Sequence, residues 1–251
     1  MNKYITAFVI SLLLSLNASA QEKKFLLGFG STSQIDTYLT PEHYSGSETR
    51  YLFDYRKKSK KDSLLYRSFT TELFVAYTRP RPQSSYNVSA LLQLSYGMQH
   101  QIYKSDKARI YLGGEADLFI GGIYNNRNGN NPAQLKTGID IAPSISLDYK
   151  LRLFKKNSIL KYKVKSPIVG LQFSPAYGQS YYEIFTQGNY DHNINLTTPV
   201  NAASLWHMLT IDVPLKRKAI TFGYLGDYRQ AALNNLKYHN YTHSLVIGIT
   251  L

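Results

Sequence analysis

The chain has 251 residues, with 29 Lys and Arg against 16 Asp and Glu, 22 Tyr, 11 Phe, one Trp and no Cys. The length fits one domain, and the lack of Cys excludes a disulfide framework, a thiolate metal site, a catalytic thiol and a cysteine-borne lipid anchor. A hydrophobic share of 43% with only 18% charged residues and a Tyr excess points to strands rather than disorder.

Residues 1–20 carry a basic start at Lys3, an apolar stretch from Ile5 to Leu16 and the small-residue site Ala18-Ser19-Ala20. This is the pattern of a cleaved secretory signal peptide, with a mature domain over 21–251. No later stretch reaches the roughly 18 apolar residues of a spanning helix. The exported chain is then either soluble or a β-barrel in an outer membrane.

Ten segments read as strands, near 25–38, 47–57, 64–79, 84–103, 108–125, 134–154, 158–173, 201–215, 218–232 and 240–251. The sixth shows the pattern most plainly. Leu135, Ile139, Ile141, Ile145, Leu147, Leu151 and Leu153 share one face, while Lys136, Asp140, Ser144, Ser146, Asp148, Lys150 and Arg152 share the other. A helix would spread these residues around its circumference, whereas a strand sorts them. Such long strands, with one apolar and one charged face, fit lipid on one side and a polar interior on the other. The fold predicted is all-β, a transmembrane antiparallel up-and-down barrel of about ten strands, with twelve as the alternative. A soluble sandwich or lipocalin-like barrel would turn its apolar face inwards and normally uses shorter strands.

The connections alternate in kind. Lys57 to Asp62, Lys104 to Lys107, Lys155 to Ser158 and Lys216 to Lys218 are short and lysine-rich. Thr40 to Gly46, Arg79 to Ser84, Asn125 to Ala133, Ser174 to Val200 and Leu233 to Asn240 are mostly longer. Short turns belong to the periplasmic side, so both termini are expected there. The lysine clusters read as solvated turns, not as nucleic-acid patches.

On this register Glu72, Glu115, Asp117, Asp140, Asp148, Asp212 and Asp227 face inwards, with Lys136, Lys150, Arg152 and Arg229 among the cations. Unpaired charges in a narrow lumen are costly, so an interlocked network that plugs the barrel is expected. Glu115 and Asp117 lie close enough on one face to perturb each other, but a structural role outweighs acid/base work. None of the six His forms a metal-spaced pair, and no GxSxG, Walker A or HExxH motif occurs, so neither metal nor cofactor is expected. The 174–200 loop is the specialised segment, with Tyr177, Tyr181, Tyr182, Glu183, Phe185, Tyr190, Asp191 and His192. These side chains could stack on a sugar or hold a cationic group, or pack as a lid over the barrel mouth.

The run Phe173 to Phe185, FSPAYGQSYYEIF, with Lys161-Tyr162-Lys163-Val164 and Thr221-Phe222-Gly223-Tyr224-Leu225, resembles a family of uncharacterised outer-membrane β-barrel proteins of Bacteroidetes-type bacteria. The resemblance implies an outer-membrane location and a barrel fold, and carries over no catalytic residue. The functional expectation is a non-enzymatic outer-membrane barrel, either structural or binding a surface ligand. Its expected partners are outer-membrane lipids, the barrel-assembly machinery during insertion and lipopolysaccharide, whose phosphates suit Arg79, Arg81, Arg127 and Lys237. The alternatives are a rim hydrolase built around Asp191 and His192, on the pattern of ten-stranded omptin proteases, and a narrow channel. Adjacent residues in extended chain point apart, which weighs against the Asp191–His192 couple.

Overall fold

A computed structural model describes residues 21–129, 131–153, 155–216 and 218–251, so the signal-peptide expectation for 1–20 lies outside the described residues. The strands are β1 (Gln21–Asp36), β2 (Thr40–Lys58), β3 (Leu65–Pro80), β4 (Asn87–Lys104), β5 (Ala108–Asn125), β6 (Ala133–Leu153), β7 (Lys156–Lys165), β8 (Val169–Phe173), β9 (Ile194–Thr197), β10 (Leu205–Pro214), β11 (Ala219–Leu233) and β12 (Leu236–Thr250). A short helix α1 (Tyr181–Phe185) sits between β8 and β9. Neighbouring strands pair antiparallel, β1 with β12 and β5 with β6 included, so the sheet closes into a barrel of ten staves.

Closure leaves no sheet edge around most of the circumference, and the period-2 pattern then sorts side chains to the two faces. Outward-facing Phe29, Leu118, Ile120 and Ile247 are about half exposed, at 56%, 51%, 56% and 48%. Inward-facing Glu48, Glu72, Glu115, Asp117 and Asp227 are buried. Charge inside and hydrocarbon outside inverts the usual arrangement of a water-soluble protein.

The termini meet at one end, where Lys23 N donates to Leu251 O at 3.2 Å. That end carries the turns after β2, β4, β6 and β10, and we call it the terminal end; the opposite one is the loop end. Two expected loops there are instead mostly strand. Thr40 to Gly46 belongs to β2, because Tyr44 points inwards and its hydroxyl pairs with Ser85 Oγ at 2.7 Å and accepts from Asn125 Nδ2 at 2.9 Å. Pro41 stands near the strand's start, where a missing N–H is tolerated. The expected Leu233 to Asn240 loop shrinks to Asn234 and Asn235, whose φ of 52° and 62° make a two-residue hairpin turn that Asn accommodates.

One stave is broken. β7 pairs with β6 up to Lys165↔Ser144, and β8 resumes on the same strand at Val169↔Ile141, with the extra residue accommodated as a bulge at Ser166, Pro167 and Ile168. On the return, β9 pairs with β8, residues 198–204 leave the ladder, and β10 starts at Leu205 rather than at 201 as expected. β11 continues past its last β10 partner, Leu205↔Tyr228, up to Leu233. Above that pair Ala232 N donates to Asn201 O at 2.7 Å and Gln230 N to Ser204 Oγ at 3.5 Å, so the β10–β11 wall has a gap near the loop end.

Candidate functional site

The lumen is filled in layers. Nearest the terminal end, Lys24 Nζ donates to Asp212 Oδ1 at 3.2 Å and Thr210 Oγ1 at 3.1 Å, Lys161 pairs with Asp212 at 3.1 Å and with Glu22, and Arg56 pairs with Asp148 at 3.3 Å beneath the Tyr111 ring. In the middle, Arg50 lies among Glu48, Glu72 and Asp227 and donates to Thr242 Oγ1 at 2.8 Å. Lys165 pairs with Glu115 at 3.1 Å and Asp117 at 2.7 Å, and Lys163 with Glu115 at 2.6 Å. Arg229 closes this layer through Asp227 at 3.0 Å and Gln93 Oε1 at 2.7 Å. Nearer the loop end Lys136 holds Asp36 at 2.8 Å.

One side of the lumen is apolar instead. Leu26, Leu52, Trp206, Met208, Leu225 and Val246 form a cluster, and Trp206 Nε1 donates to Glu72 Oε2 at 3.0 Å. Burying ions costs several kcal/mol each unless partners satisfy them, which makes the pairing a condition of the fold rather than a surplus of stability.

Of the residues read from sequence, Glu72, Glu115, Asp117, Asp140, Asp148, Asp212, Asp227, Lys136 and Arg229 face the lumen. Lys150 and Arg152 require correction: both are exposed, because the terminal end of β6 extends beyond the packed interior. The cations that do the pairing, Lys24, Arg50, Arg56, Lys161, Lys163 and Lys165, were missed, as was Trp206. Their signal was available: Lys161, Lys163 and Lys165 alternate with Tyr162 and Val164 at the same period as every other stave.

The lumen keeps a cavity of about 70 Å³ toward the loop end and one of about 40 Å³ toward the terminal end. The larger has room for a small polar group or a few waters. The layers between these small spaces weigh against an open channel.

Above the larger cavity the 174–204 segment folds over the mouth. Ser180 caps α1 by accepting from Glu183 N at 3.2 Å, while Glu183 Oε2 accepts from Ser180 N at 2.7 Å, a reciprocal capping box that occupies Glu183 structurally. Ile184 is fully buried, and the Tyr181 ring stacks with Phe173 and Phe185 and meets Tyr38 edge-on at 5.7 Å. Tyr181 Oη accepts from Leu135 N at 2.6 Å, and Tyr38 Oη donates to Gln179 O at 3.0 Å. Burial, with Asp36 and Glu183 adding repulsion, pushes the Tyr38 hydroxyl up to about 12, and burial raises Tyr181 as well, so both stay protonated. Tyr177, Tyr182 and Tyr190 point to solvent. Asp191 and His192 also face solvent, yet they pair at 2.7 Å, contrary to the expectation that they point apart. The φ of 54° at His192 bends the chain enough to bring them together. Among the described residues no group of three or more His, Cys, Asp and Glu is arranged to hold a metal ion.

Three exposed guanidinium groups gather at the loop end over β3 to β5. Arg79 donates to Tyr77 Oη at 2.7 and 2.9 Å, Tyr77 stacks on Tyr86, and Arg127 Nη1 donates to Ser84 Oγ at 3.1 Å, which ties the β5–β6 loop to the β3–β4 loop that carries Arg81. Just below, on the outer face, an apolar groove of about 510 Å³ is floored by Ala90 and Gly122 and framed by Val88, Tyr124, Leu135, Tyr181 and Phe185. Lys237 lies apart from this cluster and borders the lumen cavity.

The profile of a family described as "Protein of unknown function (DUF3316)" matches residues 15–251. No curated protein matches the chain in sequence. Solved structures similar in fold include the outer membrane protease OmpT of Escherichia coli (8% identity, TM-score 0.45, covering 92% of this chain and 95% of that one). The translocator domain of the autotransporter NalP of Neisseria meningitidis is similar at 10% identity and TM-score 0.36, covering 99% and 94%. The attachment invasion locus protein Ail of Yersinia pestis follows at 7% identity and TM-score 0.37, covering 93% and 100%. At these identities no activity passes to the present chain.

Proposed function

The chain belongs to the DUF3316 family, and from that premise we propose that it is an outer-membrane barrel that docks lipopolysaccharide on its outer wall, with both termini in the periplasm and no catalytic role. The observation that carries the reading is that Arg79 and Arg127 stand two residues beyond Tyr77 and Asn125 at the loop end of β3 and β5, with Arg81 on the β3–β4 loop, on the same wall as the groove floored by Ala90 and Gly122. Lipid A offers the complementary order, phosphates above acyl chains. Guanidinium groups suit phosphate oxygens bidentately, and the groove, lined mainly by apolar side chains, accepts hydrocarbon with little polar surface to desolvate. The half-exposed apolar outer face supports the membrane setting, because so much hydrocarbon is costly to leave in water. The layered ion pairs support a plug rather than a pore.

Two measurements test the proposal. The purified chain should stay in solution only with detergent; a monodisperse detergent-free preparation removes the membrane reading. In detergent, replacing Arg79, Arg81 and Arg127 together with Gln should weaken binding to immobilised lipopolysaccharide about tenfold or more and flatten its salt dependence. Replacing Lys60 and Lys61 at the terminal end should leave binding unchanged. Equal affinity of the Arg variant and the native chain would overturn the docking site.

A further inference from the structure

Asp140 is the exception in the lumen. Among the described residues every other buried carboxylate, Asp36, Glu48, Glu72, Glu115, Asp117, Asp212 and Asp227, has a cation within 4.0 Å, and Asp140 has none. It is 7% exposed, and the polar side chains beside it are neutral, Gln172 Nε2 at 3.5 Å from Oδ1 and the Thr197 hydroxyl. Of the cations that border the same cavity, Lys165 is committed to Glu115 and Asp117, Arg229 to Asp227 and Gln93, and Lys136 to Asp36, while Lys237 is exposed at the loop end and makes no ion pair with Asp140. The chain also makes room for this carboxylate: a Cβ on Gly170 would collide with Asp140 Oδ1. A buried, accommodated and unpaired acid is costly to retain without a partner.

Asp140 borders the 70 Å³ cavity, and that cavity reaches the broken wall. Ser204, Leu205 and Gln230 border both the cavity and a notch of about 380 Å³ on the outside of the barrel, so the wall between them is one residue thick. The notch offers Tyr228 and Tyr241 beside Pro199 and Ala203, hydrogen-bonding groups next to apolar ones. On the β7 side Ser166 Oγ donates to Ser204 O at 2.8 Å, and on the β11 side only Ala232 N to Asn201 O and the long Gln230 N to Ser204 Oγ contact replace the ladder.

We infer that this cavity is a binding site for a primary ammonium group, with Asp140 as its counter-ion, and that the ammonium arrives as the headgroup of an aminophospholipid through the gap between β10 and β11. The inference is independent of the lipopolysaccharide groove on the other wall but shares its membrane setting. Calcium or magnesium fits poorly, since each demands six or more oxygen ligands and Asp140 supplies the one uncommitted carboxylate. An ammonium on a two-carbon stem needs only a few acceptors and little volume. Its phosphate would remain at the notch, beside the Tyr and Ser hydroxyls, with the acyl chains outside the barrel.

The test uses the full barrel in detergent, titrated with short-chain phosphatidylethanolamine, short-chain phosphatidylglycerol and free ethanolamine. Phosphatidylethanolamine should bind at least about tenfold more tightly than phosphatidylglycerol, and the preference should vanish in Asp140→Asn, which keeps side-chain shape. Equal binding of the two lipids by the native chain overturns the site without reference to any variant, as does a preference that survives Asp140→Asn. Free ethanolamine should bind weakly; ethanolamine that binds while short-chain phosphatidylethanolamine does not overturns the membrane source. The route is tested by Ser204→Cys with Gln230→Cys, the only cysteines in the chain. Oxidation should abolish lipid binding and spare ethanolamine, whereas lipid binding that persists in the cross-linked protein removes the lateral path.

Discussion

The wall from β3 to β6 and the wall from β10 through β12 to β2 follow one alternating pattern and meet their surroundings differently. On β4 the outward positions from Val88 to Met98 are apolar without a break, and at ~3.3 Å per residue and ~40° of tilt they cover about 25 Å of height, the full apolar band of a membrane barrel. On β12 the outward apolar run reaches only from Leu251 back to Leu245 and is followed by His243 and Tyr241, which gives about 15 Å. His243 Nδ1 meets Tyr224 Oη at 2.5 Å, and His207 packs among Tyr162, Tyr224 and Tyr228. The polar wall is also the one whose ladder is broken. Continuous pairing thus coincides with continuous hydrocarbon, and interrupted pairing with hydrogen-bonding side chains that suit headgroups or water.

The largest expected effect concerns the interior that the two walls share. Arg50 is 1% exposed and serves Glu48, Glu72 and Asp227 from β2, across to β3 and β11. Arg50→Ala leaves buried Glu48 and Glu72 without a cation and Asp227 with Arg229 alone, and a loss of about 3–5 kcal/mol is expected. Trp206 is the only Trp and its indole N–H rests on Glu72, so its fluorescence during urea unfolding of the detergent-solubilised barrel reports the change directly. A midpoint unchanged from the native chain would show that water or relaxation, rather than Arg50, satisfies these acids.

The next effect separates the walls. Leu118 is 51% exposed at the middle of β5, and Leu118→Arg should cost about 2–4 kcal/mol in folding into lipid vesicles. His243→Arg should cost no more than about 1 kcal/mol, because that position already sits among polar groups. Equal penalties would mean that both walls face hydrocarbon to the same depth and that the polar patch has no separate setting.

Much of this architecture was legible in residue order, and the illegible parts have physical causes. Long period-2 segments place the staves and their inward acids because the alternation spans many residues and one slip would expose every buried charge. Strand ends were harder: Tyr44 binds across the lumen to Asn125, a partner far away in sequence, so the 40–46 stretch looked like a loop. The Asn234-Asn235 turn was hidden because its positive φ angles are a property of the hairpin. The special standing of Asp140 was also hidden. It alternates like Asp148, and only the packed lumen reveals that Asp148 has Arg56 while Asp140 has no such partner. The arginine cluster could be named from sequence but not assembled, since it depends on Arg127 reaching Ser84, and Lys237 dropped out for the same reason.

The smallest effect lies where the walls meet the lid. Above β8 the edge of β6 has no strand beside it, and Tyr181 Oη takes the place of a ladder acceptor for Leu135 N. Tyr181→Phe keeps the ring stack with Phe173 and Phe185 and removes only that acceptor. A net hydrogen bond is worth about 1 kcal/mol, so amide exchange at Leu135 should quicken roughly fivefold. Exchange at Ile184, buried beneath the lid and held by the Ser180–Glu183 capping box, should not change. Faster exchange at both sites would mean that the hydroxyl, rather than the aromatic stack and the cap, holds the lid closed. The lid would then be a structure borrowed from the edge of the continuous wall, and the loop end would loosen from that side rather than from the broken one.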